Sequence, residues 1–426
     1  MSKFQIGLLV VFGAFILIAV ILFARTKGSS APQVSLTVWG SLSSFDFANL
    51  LAGAGLDKND ALAFNYVEKS ADSLDADFTE ALAEGKSPDL VIIPVESLLT
   101  EKSKLLLIPS TSVTPADLAS TFIEEGSLFQ TAAGTYALPL YVDPMVLYMN
   151  MDLFSKASLA VPPAYWDEIY DYISKLTVKD DAGNITTSAI ALGGVKNIPH
   201  EKDILSLLML QAGTPITAYS GDSLVAVMNQ GTNTSQGPAQ AALTFYTQFA
   251  DPTKSFNTWN GSLLPADTNF ASGKSAMYLG FASELPLLKA KNPTLNLSIA
   301  PVPQSRVTGK AVTFGRLYGV AISRGAKSPV GALQGALALV GKASVVALTS
   351  STSYVPVRRD ILSTKPVDQA GSVFYGAALQ SKGWLDPDPT KSKDIFGTMA
   401  DSVVSGRARV EEAVNTANAA LNALIK

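Results

Sequence analysis

Three of the four tryptophans fall where the chain changes direction rather than on a helical stripe. Trp39 ends the segment VSLTVWG, on the face opposite Val34, Leu36 and Val38. Trp259 and Asn260 lie in the polar stretch FNTWNGS, and Trp384 lies in GWLDPDP. Tyr141 and Asp143 sit in ALPLYVDP, between two prolines that stiffen the backbone. Aromatic faces can cover the apolar C–H surface of a sugar, while amides and carboxylates take its hydroxyls. That combination predicts a carbohydrate cleft. Trp166, at the start of a helical pattern, is expected to serve packing instead.

Other chemistries lack their residues. There is no cysteine and a single histidine, His200, so thiolate nucleophiles, disulfides and Cys- or His-rich metal sites are excluded. No G-x-S-x-G, H-E-x-x-H, Walker A or G-x-G-x-x-G pattern occurs. A Ser/His/Asp hydrolase would depend on His200, which in NIPHEKD reads as a solvated residue at a helix start. Asp222, Asp251 and Asp267 do not follow the spacing of a calcium loop. A carboxylate pair for glycoside hydrolysis stays open, because 36 acidic residues permit many pairs. No cofactor is called for.

The 426 residues imply two or three domains. A hydrophobic share of 47% against 16% charged rules out a disordered chain, and a net charge of −4 offers no basic footprint for nucleic acid.

The elements that must position these residues are α/β. Val34–Gly40 alternates as a strand, Ser73 is expected to cap a helix carrying Leu74, Phe78, Ala81 and Leu82, and LVIIP after Pro88-Asp89 is a second strand. That order predicts βαβ units and a mainly parallel sheet. Pro162-Pro163 is expected to open a helix bearing Ile169, Ile173 and Leu176. Further helices fit Glu201–Ala212, Ala239–Ala250, Val330–Gly341 and Ala408–Ile425. Further strands fit Ala276–Leu279, Leu297–Pro301 and Leu317–Ile322.

Phe4–Ala24 is an apolar run of 21 residues with Gln5 as its only strongly polar side chain. At about 1.5 Å per residue it spans a hydrocarbon core of roughly 30 Å. A cleaved signal peptide and a buried helix are the alternatives. The length of the run, and Arg25, Thr26 and Lys27 directly after it, favour an uncleaved transmembrane anchor. Gly28–Gln33 reads as a short tether.

Four segments in order resemble the extracellular solute-binding proteins of ABC importers, the carbohydrate-binding group in particular. They are YALPLYVDPMVLYMNMDLF, VPPAYWDEI, FASGKSAMYL and GRLYGVAIS. Met151 stands where the family commonly has Lys, and the lipid-anchoring cysteine of many relatives is missing. The resemblance implies an α/β, two-lobed periplasmic-binding-protein-like fold with hinge-crossing chain, here preceded by one N-terminal transmembrane helix. Residues 1–33 would be anchor and tether. Lobe 1 would comprise 34–140 and 319–350, and lobe 2 would comprise 143–313 and 355–426. By the family's pattern Trp39, Ser41, Glu96, Tyr141, Asp143, Phe281, Glu284, Arg316, Tyr318 and Tyr354 would border the cleft. Trp259, Asn260 and Trp384 join them on the residue-level argument above.

The implied function is a monomeric, membrane-anchored, non-enzymatic receptor. It would capture a small solute, a carbohydrate by its aromatic content, for an ABC permease, with its soluble part outside the cell. An adhesion ectodomain and a glycoside hydrolase are the rival readings.

Overall fold

The computed structural model describes residues 33–230, 237–306, 309–364 and 366–425. The expected anchor Phe4–Ala24 and most of its tether lie outside the described residues.

Val34–Gly40 is a strand, burying Leu36 and Val38 on one face as its alternation predicts. It pairs in parallel with Leu62–Glu68 on one side and Leu90–Pro94 on the other. The helix Leu74–Ala83 links those two flanking strands and buries Leu74, Phe78 and Ala81. Ser73 occupies its N-cap position, but the Ser73 side chain makes no capping bond. The helix Ser44–Gly53, capped by Ser43 on the amide of Asp46, covers the same wing of the sheet. In the opposite wing Ile185–Ile190 pairs in parallel with Ser275–Phe281.

The wings are joined by two long strands, Ala137–Asn150 and Thr313–Ser323. Every residue of the first is buried. Its early residues pair with Gly315–Ala321, and its later ones, Met145–Met149, pair with Ser275–Phe281 in the other wing. Thr313–Ser323 in turn reaches Leu90–Pro94. A third crossing, Val355–Pro356, pairs with Val142 and Tyr141. All of these central ladders are antiparallel. The sheet is therefore mixed, not mainly parallel: parallel pairing is confined largely to the wings, where helices return the chain to the same edge. A register shift falls between Tyr318 and Gly319. A Cβ at Gly319 would come within 2.9 Å of the Ala137 Cβ on the facing strand and 2.8 Å of the Phe129 ring, so a side chain there would force its neighbours to shift.

One further expectation shifts. The helix after Pro162-Pro163 begins only at Ile169, behind a short 3-10 turn at Trp166–Glu168. The backbone of Ala164–Trp166 is held extended by bonds to Gln304, which keeps it out of the helix. Chain just after the third crossing hydrogen-bonds to Phe122 and Ile123. Ile123 N–H donates to the Val357 carbonyl at 2.9 Å, and Arg359 Nε donates to the Phe122 carbonyl at 2.7 Å.

The helix Glu201–Ala212 lies almost wholly buried, including the polar residues of its first turn, Glu201, Lys202 and Asp203. Val410–Leu424 buries Val414, Ala417 and Leu421. The amide oxygens of its Asn418 and Asn422 accept from Met228 N–H and Ala226 N–H, both at 2.8 Å.

Candidate functional site

The ladder between the crossing strands sets Tyr141 opposite Tyr318 and Asp143 opposite Arg316. Alternation puts Tyr141 and Asp143 on one face of their strand, and Arg316 and Tyr318 on one face of theirs. Tyr318 stacks on Tyr141 with ring centroids 4.6 Å apart, and Tyr354, beside the third crossing, packs on it at 4.3 Å. The Tyr141 side chain is fully buried and its hydroxyl has no hydrogen-bond partner among the described residues. Burial pushes its ionisation well above the ordinary phenol range.

Charged groups converge around these rings. Asp143 accepts from Ser283 N–H at 2.9 Å and from its hydroxyl at 2.5 Å. Burial pushes its pKa up to about 6 against those bonds. Arg316 donates to Asp203 Oδ2 at 2.6 Å and lays its guanidinium 4.0 Å from the Phe281 ring centre. His200, at the N-cap of Glu201–Ala212, faces Glu284 through Nε2 at 2.5 Å and Asp203 through Nδ1 at 3.7 Å. Burial disfavours its cation, but Asp203 and Glu284 prevail and hold its pKa up at about 9. Burial opposes the Asp203 anion too, yet Arg316 and His200 keep that carboxyl well below its usual range. Glu284 also accepts from the Tyr278 hydroxyl at 2.6 Å. Next along, Lys202 Nζ meets Asp386 at 2.5 Å and Ser392 at 2.9 Å. Glu96 follows the strand Leu90–Pro94. It accepts no hydrogen bond and meets no cation at salt-bridge distance among the described residues. Burial raises its pKa to about 7, with Arg316 pulling the other way.

The expected residues divide. Glu96, Tyr141, Asp143, Phe281, Glu284, Arg316, Tyr318 and Tyr354 are brought together. Ser41 lines a small cavity of about 70 Å³ with Tyr318. Trp39 is half-buried at the neighbouring strand end, with Lys69 Nζ 4.2 Å from its ring centre. Trp259 sits elsewhere, in the core, and Trp384 is buried beside Lys202, whose Nζ lies 5.4 Å from its ring centre. Trp259 is 0% exposed, and its indole N–H donates to Asn197 Oδ1 at 2.9 Å. Trp384 is 2% exposed, stacked on Phe396 and donating to Ser206 Oγ at 3.1 Å. Neither has a free face to offer a ligand, so the expectation of stacking surfaces there is corrected. Loop segments without apolar periodicity are buried because other elements close over them. Asn260 turns its side-chain oxygen back onto Ser262.

His200, Lys202 and Asp203 were missed. The position of His200 at a helix start was legible, but its burial was not, because Glu284 arrives from 84 residues away. A groove of about 880 Å³ was also missed. It runs between Leu99–Ser103 and the hairpin Thr217–Ala226, with Pro387, Asp388 and Ile425 on its wall. None of the expected site residues lines it. GWLDPDP, which supplies Pro387 and Asp388, was the one available signal.

Comparison with known proteins agrees with this architecture. A Brucella abortus protein named as a binding protein is 23% identical over 380 residues, 87% of each chain. A cyclo/maltodextrin-binding protein complexed with maltotetraose superposes with a TM-score of 0.75 at 18% identity, covering 92% of this chain and 97% of that one. An ABC transporter solute-binding protein from Thermotoga lettingae, bound to α-D-tagatose, gives 0.70 at 20% identity over 92% and 100%. These structural likenesses establish the two-lobed fold. The sequence profile of the bacterial extracellular solute-binding proteins matches residues 56–374. With the crossing strands that the fold requires in place, the chain belongs to the bacterial extracellular solute-binding protein family.

Proposed function

We propose that this protein is a membrane-tethered, non-enzymatic receptor that captures a small carbohydrate between its lobes and delivers it to an ABC permease. The observation that carries this is the set of groups on the crossing strands: the rings of Tyr141, Tyr318 and Tyr354 beside Asp143 and Arg316. Stacked rings with adjacent charged donors and acceptors suit a pyranose, whose faces are apolar and whose edge is hydroxylated. The unpartnered Tyr141 hydroxyl is one more group that a ligand can satisfy. Structures of the same fold hold maltotetraose and α-D-tagatose, which supports the same class.

In this reading lobe 1 is built from 34–140 and 319–350 and lobe 2 from 143–313 and 355–426, with Phe4–Ala24 holding the receptor at the outer face of the membrane. The ligand-binding set is Trp39, Ser41, Glu96, Tyr141, Asp143, Phe281, Glu284, Arg316, Tyr318 and Tyr354. Ligand favours closure of the lobes by binding the closed form more tightly. Isothermal titration of the full chain in lipid nanodiscs against mono- and oligosaccharides, polyols and amino acids tests the proposal. Saturable binding of a sugar is expected, and binding of amino acids alone overturns it.

A further inference from the structure

The cations of the site are matched one to one. Arg316 is taken by Asp203 at 2.6 Å, His200 by Glu284 at 2.5 Å and Lys202 by Asp386 at 2.5 Å. Two carboxylates are left over. Glu96 has neither a hydrogen bond nor an ion pair among the described residues, and Asp143 is held only by the neutral amide and hydroxyl of Ser283. Both lie close enough to feel the Arg316 charge, but Arg316 is already committed. Glu125 also lacks a cation at salt-bridge distance, but it is buried beneath Ser381 and Gly383 and accepts the Ser381 hydroxyl. Glu201 points its unpaired oxygen toward Gly397 in the packing between helices.

A carboxylate withdrawn from water without a cation is costly, wholly for the buried Asp143 and in part for the half-buried Glu96. Here the uncompensated pair stands beside an unpartnered, fully buried Tyr141 hydroxyl and three packed phenol rings, whose faces attract cations. Glu96 belongs to the first wing of the sheet and Asp143 to a crossing strand. A positive group between them would draw the first lobe onto the hinge.

We propose that the ligand is an amine-bearing sugar, with its ammonium received between Glu96 and Asp143 and its ring against the half-buried Tyr318 and Tyr354. This rests on the carbohydrate reading above and narrows it to one class. Neutral sugars would leave Glu96 and Asp143 uncompensated, which makes the two carboxylates the selecting groups.

Isothermal titration of the full chain in nanodiscs at neutral pH compares three disaccharides: a glucosamine dimer, its N-acetylated counterpart and a neutral glucose dimer. The glucosamine dimer is expected to bind roughly tenfold to a hundredfold more tightly than either, the worth of a charge-assisted contact. In Glu96→Gln that preference is expected to collapse toward unity, while melting on the same sample reports folding. Asp143→Asn provides a second, independent loss of preference. Equal or tighter binding of the neutral dimers, or a preference unchanged in both variants, overturns the amine assignment and leaves the sugar receptor standing. Binding of no sugar at all, in any arm, overturns both.

Discussion

Arg316 and Asp143 stand directly opposite one another in the ladder of the crossing strands, yet they do not form an ion pair. The guanidinium reaches past its neighbour to Asp203, at 2.6 Å on the first turn of the buried helix, and Asp143 turns to Ser283. The charges around the tyrosine rings are thus paired between elements, not within the ladder.

Removing a ring from the tyrosine stack separates binding from folding. Tyr318→Ala and Tyr354→Ala each delete a half-buried ring packed on Tyr141. Each is expected to weaken sugar binding by about 1–3 kcal/mol, roughly fivefold to 150-fold. Titration calorimetry measures this, and melting of the same samples is expected to move little.

Tyr141→Phe removes only the hydroxyl that has no partner. A buried polar group left unsatisfied costs about 1–3 kcal/mol, so the variant should be at least as stable as the parent in urea. Its sugar affinity should fall if that hydroxyl meets the ligand. A variant that melts early would show that the hydroxyl has a structural partner instead.

Trp259→Ala should behave as a core deletion. The indole is 0% exposed and bonded to Asn197. Loss of about 3–5 kcal/mol is expected by urea titration, with sugar affinity per folded molecule unchanged.

The Lys202–Asp386 pair predicts a non-additive cycle. Asp386 is 0% exposed, so Lys202→Met leaves its carboxylate in the interior without its cation, at a cost of about 3–5 kcal/mol. The double variant Lys202→Met/Asp386→Leu should recover much of that loss. Equal losses in the single and the double variant would count against the pair.

The His200–Glu284 contact carries a pH dependence of defined sign. His200 is raised from 6.5 to about 9 in the folded protein. Its contribution is therefore complete below the unfolded value and is lost as pH rises through about 9. Burial opposes the Glu284 anion, but the bond and charge of His200 leave its pKa lowered. The Glu284 contribution therefore holds above the ordinary carboxylate range and disappears as pH falls through its lowered value. Denaturation of the parent and of His200→Gln should show the parent's advantage at pH 6 and a shrinking difference from pH 7 to 10.

Local pattern was enough to establish many elements. Val34–Gly40, Leu90–Pro94 and Glu201–Ala212 are formed where their alternation or helical propensity placed them, and the four family-like segments identified the two-lobed receptor. Side-chain periodicity is a property of neighbours in sequence, so it can be read without the fold. Pairing of the crossing strands, the closing of the core over Trp259 and Trp384 and the meeting of His200 with Glu284 were decided only by tertiary structure. The reason is range. Burial and ionisation depend on groups that other segments bring within a few ångströms, and neither the composition of FNTWNGS nor that of NIPHEKD records which segments those are.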